Sequence, residues 1–194
     1  PIRTISDLKG KKIGFSVGGF EEALLSGMLQ KYNLNMSDVD LVNINFSLSP
    51  SLIAKKVDAV IGAFRNFELN QMDIVNHPGR AFYPEEHGVP TYEELIYIAN
   101  QKNKNNPLFD KFFSAIQKAT LTIINDPVST WKDFSSYRKG LDDELNKRAY
   151  KDTISRFALR PQAHDLKTYT NFSKFLEKKG IIKKITKVET FAKP

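Results

Sequence analysis

The sequence predicts an α/β protein in which helices cover both faces of a mostly parallel sheet. Short apolar runs alternate with helical segments through the first hundred residues, and this alternation is typical of parallel strands joined by helical crossovers. The second half of the chain shows only helical periodicity, and a polar linker at 100–107 separates the two patterns. We therefore expect one α/β unit followed by a helical segment.

The strands of the sheet are predicted from apolar runs at 11–17, 39–45 and 57–64. Each run is short and contains valine or isoleucine, as strand segments usually do. Two further runs, at 80–84 and 94–100, predict additional short strands.

The segments between these strands predict helices over 20–32, 49–56 and 66–75. In the first of them the apolar residues recur on one face at helical spacing. In the second, Ser49 is expected to cap the helix and Pro50 to occupy its first position.

The second half predicts four helices, each with a recognisable start or stop. Two of them begin with a capping residue followed by proline, and the last one stops at Gly180. Their predicted ranges are 106–126, 126–134, 142–158 and 165–179. Several aromatic residues recur at helical spacing in these helices and are expected in the core. They are Phe112, Phe113, Trp131 and Phe134.

The composition is that of an ordinary soluble domain. Of the 194 residues, 41% are apolar and 26% are charged, and no apolar run approaches the roughly 18 residues that a membrane span needs. The chain has no cysteine, which excludes disulfides, zinc–thiolate sites and cysteine nucleophiles. Because the chain begins at Pro1, we expect it to be a piece of a longer protein.

The positive charge is confined to the second half. Residues 1–100 carry 9 Lys and Arg against 12 Asp and Glu, a net charge of −3, and residues 101–194 carry 20 against 10, a net charge of +10. The lysines lie on segments with helical spacing, which indicates solvated helix surfaces. No nucleic-acid-binding motif accompanies them, so no nucleic-acid partner is predicted.

Two turns follow the first and third predicted strands, "SVGGFEE" at 16–22 and "GAFRNFE" at 62–68. Ligands of parallel sheets bind at the carboxyl ends of the strands, so we expect both turns to border one crevice. Gly18 and Gly19 would let the backbone approach a ligand closely, or simply let a helix pack tightly on a strand. The three histidines are scattered without metal-ligand spacing, so no metal site is predicted.

Four segments resemble bacterial pyrimidine-precursor binding proteins of thiamine salvage. They read "DLKGKKIGFSVGGFEEALL" (7–25), "NINFSLSPSLIAKKVDAVIGAFRNFELNQ" (43–71), "EEHGVPTYEELIYIAN" (85–100) and "LNKRAYKDTISRF" (145–157). The resemblance implies a type II periplasmic binding protein fold, in which two α/β lobes clamp a ligand. Residues 1–97 would form the second lobe and residues 98–194 the helical return into the first, whose opening strands are expected upstream of Pro1.

The same resemblance implies the function. The chain is expected to be the substrate-binding component of an ABC importer and to bind formylaminopyrimidine or hydroxymethylpyrimidine between the lobes. Its partners would be that ligand and a membrane permease, and its location periplasmic or lipid-anchored outside the cytoplasm. No cofactor is expected, and the protein would not be an enzyme.

An aminopyrimidine offers an amine donor, ring-nitrogen acceptors and a flat aromatic face, which carboxylate or amide groups and aromatic rings complement. The resemblance makes Glu68 the expected anchor for the amine. The other expected ligand residues are Asn66, Ser16, Gly18, Gly19, Glu21, Phe64 and Tyr92, of which either aromatic residue could equally pack in the core. Glu21 and Glu22 lie in the first turn of a predicted helix, where they suit the helix dipole but repel phosphate. An unphosphorylated ligand is therefore favoured.

Two alternatives remain open in the sequence. The first is an iron-dependent pyrimidine-phosphate synthase of the fungal kind, in which a histidine is consumed. The absence of cysteine disfavours it, because those enzymes carry a cysteine-rich motif near the position of His87. The second is a binding protein of the same fold for a sulfonate or a nitrile, and the segment "GAFRNFELNQ" argues against it.

Overall fold

The structure is a computed structural model and describes residues 1–161 and 163–192. The first half contains three strands and three helices in alternation, and the second half contains four helices. The elements of the first half are β1 (Lys12–Phe15), α1 (Phe20–Gln30), β2 (Asp40–Asn43), α2 (Leu48–Ile53), β3 (Ala59–Val60) and α3 (Glu68–Ile74). Those of the second half are α4 (Leu108–Asn125), α5 (Pro127–Tyr137), α6 (Glu144–Ile154) and α7 (Leu166–Lys178).

The three strands form a parallel sheet in the order β2-β1-β3. Ile13 lies in register with Leu41 on one side and with Ala59 on the other. The chain moves outward from β1 to β2 and then crosses back over β1 to β3. Because both crossovers turn in the same sense, α1 and α2 cover opposite faces of the sheet. The predicted α/β architecture is confirmed.

Two apolar clusters correspond to the two faces. The larger cluster surrounds α1, which is buried almost all round, as expected of a helix inside the core. The smaller cluster joins Leu48 of α2 to Ile44 and Val57. Helix α7, from the far end of the chain, adds Phe175 to the larger cluster.

Gly27 of α1 allows α7 to approach closely. A Cβ atom at this position would lie 2.8 Å from Cε2 and 3.0 Å from Cζ of Phe175, and 3.2 Å from Cγ2 of Val89. Gly27→Ala is therefore expected to lower the free energy of unfolding by about 1–2 kcal/mol, because overpacking outweighs the better helix propensity of alanine. Urea denaturation measures this difference.

The matched test repeats the substitution in a Phe175→Leu background. Leucine lacks the ring atoms that crowd Gly27 most closely, so alanine there should cost much less, with only the Val89 contact at 3.2 Å remaining. An equal loss of stability in both backgrounds would show that the ring of Phe175 is not the cause.

Helix α2 begins earlier than the sequence indicates. The expected cap, Ser49, lies inside its first turn, and Ser47 is the N-cap. Leu48 must enter the helix because its side chain is buried against Ile44 and Val57. Pro50 is tolerated because an amide in the first turn needs no partner within the helix. The predictions of Ser49 as the cap and of Pro50 at the first helical position were both wrong, since Pro50 is the third residue of α2.

The predicted strands at 80–84 and 94–100 are absent from the sheet. Leu95 and Ile98 are 83% and 88% exposed, and Leu95 has a φ of +62°. A strand needs a neighbour for its backbone amides and carbonyls, and within 1–161 and 163–192 no strand lies beside these segments. Phe112 and Phe134 were expected in the core but remain 44% and 41% exposed. Neither belongs to an apolar cluster of the described residues.

The start of α5 follows the predicted chemistry, whereas α4 begins later than expected, with Pro107 itself as the N-cap. The carboxylate of Asp126 accepts the Ser129 amide at 3.0 Å and Pro127 opens α5, while Asn106 accepts the Leu108 amide at 2.9 Å. No helix in the described part of the chain is long and apolar enough to cross a membrane.

Candidate functional site

The ends of β1 and β3 are joined by the carboxylate of Glu21. This side chain is only 6% exposed, and its Oε2 accepts the backbone amide of Ser16 at 2.7 Å. It also lies directly against Gly62, where an added Cβ would stand 2.6 Å from Cδ of Glu21. Gly62 has a φ of +91°, which favours glycine. The two turns predicted to border one crevice therefore do meet.

The glycine turn has its leading amides satisfied by the protein. Gly19 adopts a φ of +81° and its amide donates to Oε2 of Glu22 at 2.5 Å. The position of a Cβ on Gly18 has only the Phe15 ring within reach, at 3.9 Å, so the turn has open space around it. Since both glutamates of the turn point back to backbone amides, their negative charge lies where a phosphate would otherwise bind.

Glu68 opens α3 immediately after the turn that follows β3. Its Oε2 accepts the amide of Phe64 at 2.7 Å, which closes the turn. The carboxyl is half-buried, and burial raises the pKa of Glu68 above its ordinary value, although the Phe64 amide pulls the pKa the other way. The ring of Phe64 itself is 41% exposed. The structure thus places an acidic group and an open aromatic ring together at this end of the sheet.

The loop after β2 contains a feature that the sequence analysis missed. Asn45 and Phe46 both have positive φ, 46° and 62°, and the Phe46 side chain is 72% exposed. The amide of Phe46 donates to Oγ of Ser16 at 3.0 Å, so the loop is tied to the end of β1. Asn45 after an apolar run is a weak turn signal, but nothing in the sequence indicates that a phenylalanine follows in this conformation.

Asn66 faces the helical half of the chain. Its Nδ2 donates to Oγ1 of Thr153 on α6 at 2.7 Å. Nearby, Asn70 donates to Asp152 at 2.7 Å, so that the contact between α3 and α6 is strongly polar. Arg148 extends it by pairing with Asp73 at 2.6 Å. The side-chain nitrogen of Asn66, which lies in the turn before α3, is thus bound by α6.

Tyr92 packs between α1 and α7. Its ring stacks on Phe172 with centroids 4.5 Å apart and meets Phe20 edge-on at 5.8 Å. Its hydroxyl donates to Oε2 of Glu94 at 2.8 Å, and burial, reinforced by that carboxylate, raises the pKa of Tyr92. This geometry corresponds to the core role that the sequence allowed for Tyr92.

Neighbouring polar residues are also engaged within the protein. Arg65 pairs with Glu85 at 2.9 Å and lies over the Tyr83 ring, 3.9 Å from its centroid. His87 contacts the hydroxyl of Tyr32 through Nδ1 at 2.8 Å. These contacts hold Arg65 and His87 against other parts of the protein.

The site is an open edge of the sheet. Two shallow depressions on the described residues lie elsewhere, one of about 480 Å³ on α4 and one of about 250 Å³ between α7 and 185–189. Neither is lined by a predicted ligand residue. Within residues 1–161 and 163–192, no group of three or more acidic or histidine side chains could hold a metal ion.

Three relatives match the chain along part of their own length. A protein of Haemophilus influenzae named for thiamine biosynthesis is 44% identical over 192 residues, 98% of this chain and 61% of that protein. The 4-amino-5-hydroxymethyl-2-methylpyrimidine phosphate synthase of Schizosaccharomyces pombe is 26% identical over 93% of this chain and 55% of its own. The formylaminopyrimidine-binding protein of Halalkalibacterium halodurans is 27% identical over 63% of this chain and 38% of its own.

A solved structure confirms the predicted fold class. The alkanesulfonate-binding protein SsuA from Xanthomonas axonopodis pv. citri matches 97% of this chain and 64% of its own with a TM-score of 0.67. Its sequence is 17% identical, so the likeness concerns the fold, that of a periplasmic binding protein. The model of the family described as NMT1/THI5 like matches residues 1–130. The chain, which spans 61% or less of the three relatives named above, belongs to the NMT1/THI5-like family.

Proposed function

We propose that this chain is part of the substrate-binding component of an ABC importer and binds an unphosphorylated thiamine-precursor pyrimidine. The observation that carries the proposal is the meeting of the β1 and β3 ends through Glu21 and Gly62, with the Glu68 carboxyl closing the turn that follows β3. It is supported by the similarity of the chain to a protein named as formylaminopyrimidine-binding. The candidate ligands are formylaminopyrimidine and hydroxymethylpyrimidine.

Glu68 is the proposed anchor of the ligand. A half-buried carboxyl with a raised pKa can accept a hydrogen bond from an exocyclic amine and share a proton with the adjacent ring nitrogen. Phe64, which opens the same turn, supplies exposed aromatic surface. Ser16, Gly18 and Gly19 would border the ligand from the β1 side.

The preference for an unphosphorylated ligand rests on charge. Glu21 and Glu22 occupy the amides of the glycine turn, and a phosphate there would meet two carboxylates. Glu21 acts in this proposal by holding the two strand ends together, with little surface left for a ligand.

Two lobes are proposed to close on the ligand, with 1–97 as one lobe and 98–194 returning to the other. The polar contacts between α3 and α6 support an interface that can separate at α6, whereas α7, whose Phe175 lies in the core around α1, would stay with the first of these lobes. The exposed stretch at 95–98 supports a hinge near 95–100. The closed form would be recognised by a membrane permease, which requires a periplasmic or lipid-anchored location.

Calorimetric titration of the complete gene product tests the proposal. The ligands are formylaminopyrimidine, hydroxymethylpyrimidine, hydroxymethylpyrimidine phosphate and thiamine. We expect tight binding of one unphosphorylated pyrimidine and weaker binding of the phosphate. The absence of binding to all four would refute the thiamine assignment and leave the fold assignment standing.

A second candidate function is pyrimidine-phosphate synthesis. It is favoured by the match to the S. pombe synthase, which extends over 93% of the chain, further than the match to the binding protein. Iron-dependent formation of the pyrimidine phosphate, with loss of one histidine per turnover, would identify the enzyme. Preferential binding of the phosphate in the titration would point the same way.

A further inference from the structure

Phe46 is a large apolar side chain held open at the carboxyl edge of the sheet. It is 72% exposed, although its neighbours Ile44 and Leu48 are buried in the cluster beneath α2. The loop therefore turns one apolar residue outward between two that point inward. Burial in the described part of the fold does not explain its position.

The backbone at Phe46 is also unfavourable. A φ of 62° is uncommon for any residue other than glycine and is rarest for bulky side chains. Asn45, with a φ of 46°, shares the bend but belongs to a residue type that accepts it. Residues kept in such conformations cluster at ligand-binding sites, because the surrounding structure holds them for a purpose other than stability.

The loop is fixed in this conformation from β1. The Phe46 amide donates to the Ser16 hydroxyl at 3.0 Å, and the Ser16 amide is held by Glu21 at 2.7 Å. The same carboxylate that joins β1 to β3 therefore also supports, through Ser16, the residue at the end of β2. Phe46 is connected to the candidate site by two successive hydrogen bonds.

The spacing of the strands suits a flat ligand. The edge strands β2 and β3 each lie one strand spacing from β1, so their ends are about 10 Å apart. Aromatic rings stack or pack with centroids about 4.5–7 Å apart, so one flat ring fits between a ring from the β2 end and a ring from the β3 end. Phe46 and Phe64 are exposed aromatic residues that follow the ends of β2 and β3 by three and four residues.

We propose that Phe46 stacks on the pyrimidine ring opposite Phe64 and is a specificity-determining residue that selects flat heteroaromatic ligands. This inference rests on the proposed function. It also gives the site an aromatic ring in place of Tyr92, whose ring is stacked on Phe172.

The test uses the complete gene product and calorimetric titration with hydroxymethylpyrimidine and formylaminopyrimidine. Phe46→Gly is expected to weaken binding about tenfold or more, since removal of an aromatic ring from a base costs that much or more in other sites. Phe46→Tyr should stay within about threefold of the wild type, since the ring is retained. Lys55→Gly is the matched control, because Lys55 is exposed with a φ of 54° outside the site, and its affinity should equal that of the wild type.

Thermal unfolding and fluorescence separate ligand binding from a structural role. Because glycine relieves the unfavourable φ, Phe46→Gly should not lower the unfolding midpoint. In a Trp131→Phe background, Phe46→Trp should give an indole emission that the pyrimidine changes on binding.

The outcomes are distinguishable. If the wild type binds neither pyrimidine, both the proposed function and this inference fail. If the wild type binds and Phe46→Gly binds equally well, only the inference fails. A lower midpoint in Phe46→Gly, together with an indole emission of Phe46→Trp that the ligand does not change, would also overturn it, because Phe46 would then serve folding.

Discussion

Glu68→Gln is expected to weaken pyrimidine binding by about 100-fold. A carboxylate that accepts from the exocyclic amine and shares a proton with the ring nitrogen makes a charge-assisted pair, and losing one such hydrogen bond costs about 1.5–3 kcal/mol. Glutamine has the same shape and can still accept the Phe64 amide, so the turn at 64–68 should persist. Calorimetric titration of both proteins gives the ratio of dissociation constants.

Glu68→Gln should raise the stability of the protein at pH 7, although it weakens pyrimidine binding. Burial raises the pKa of Glu68 above 4.5, so the native state binds this proton more tightly than the unfolded state does. Between pH 4.5 and the raised pKa, stability therefore falls as the pH rises. Glu68→Gln removes the buried charge, and its unfolding midpoint should exceed that of the wild type at pH 7 and match it near pH 4.

The control for both measurements is Glu86→Gln, because Glu86 is exposed on the surface away from the strand ends. It should change neither the affinity nor the pH dependence of the midpoint. Equal affinities of wild type and Glu68→Gln would remove Glu68 as the anchor. A midpoint difference that does not vary with pH would mean that the carboxyl is not the group responsible.

The sheet and the meeting of the two turns were predictable because they depend on local patterns. Three short apolar runs separated by helical segments admit few arrangements other than parallel strands with crossovers. Glycine and polar residues directly after two of those strands mark the edge where ligands bind. The predicted turns at 16–22 and 62–68 meet in the structure because β1 and β3 are neighbours.

The roles of individual side chains depend on contacts that sequence spacing does not reveal. Glu21 was expected near a ligand, but its carboxylate contacts Gly62, 41 positions later in the chain. Tyr92 could line a pocket or pack in the core, and Phe172, 80 positions later, decides this by stacking on it. The predicted strand at 94–100 has the right residues but lacks a neighbouring strand within the described residues.

Gly62→Ala is expected to destabilise the protein by about 2–5 kcal/mol and to abolish pyrimidine binding. About 1–2 kcal/mol comes from placing a Cβ at a φ of +91°, and a further 1–3 kcal/mol from overpacking. The methyl group would stand 2.6 Å from Cδ of Glu21, and this buried carboxylate cannot move aside without losing the Ser16 amide. Gly140→Ala separates the two causes, because Gly140 lies outside the candidate site and has the same φ of +91° but nothing within 4 Å of an added Cβ. It should lose only the conformational part in urea denaturation and should still bind the pyrimidine. Equal losses of stability in the two variants would show that the contact between Glu21 and Gly62 does not hold the ends of β1 and β3 together.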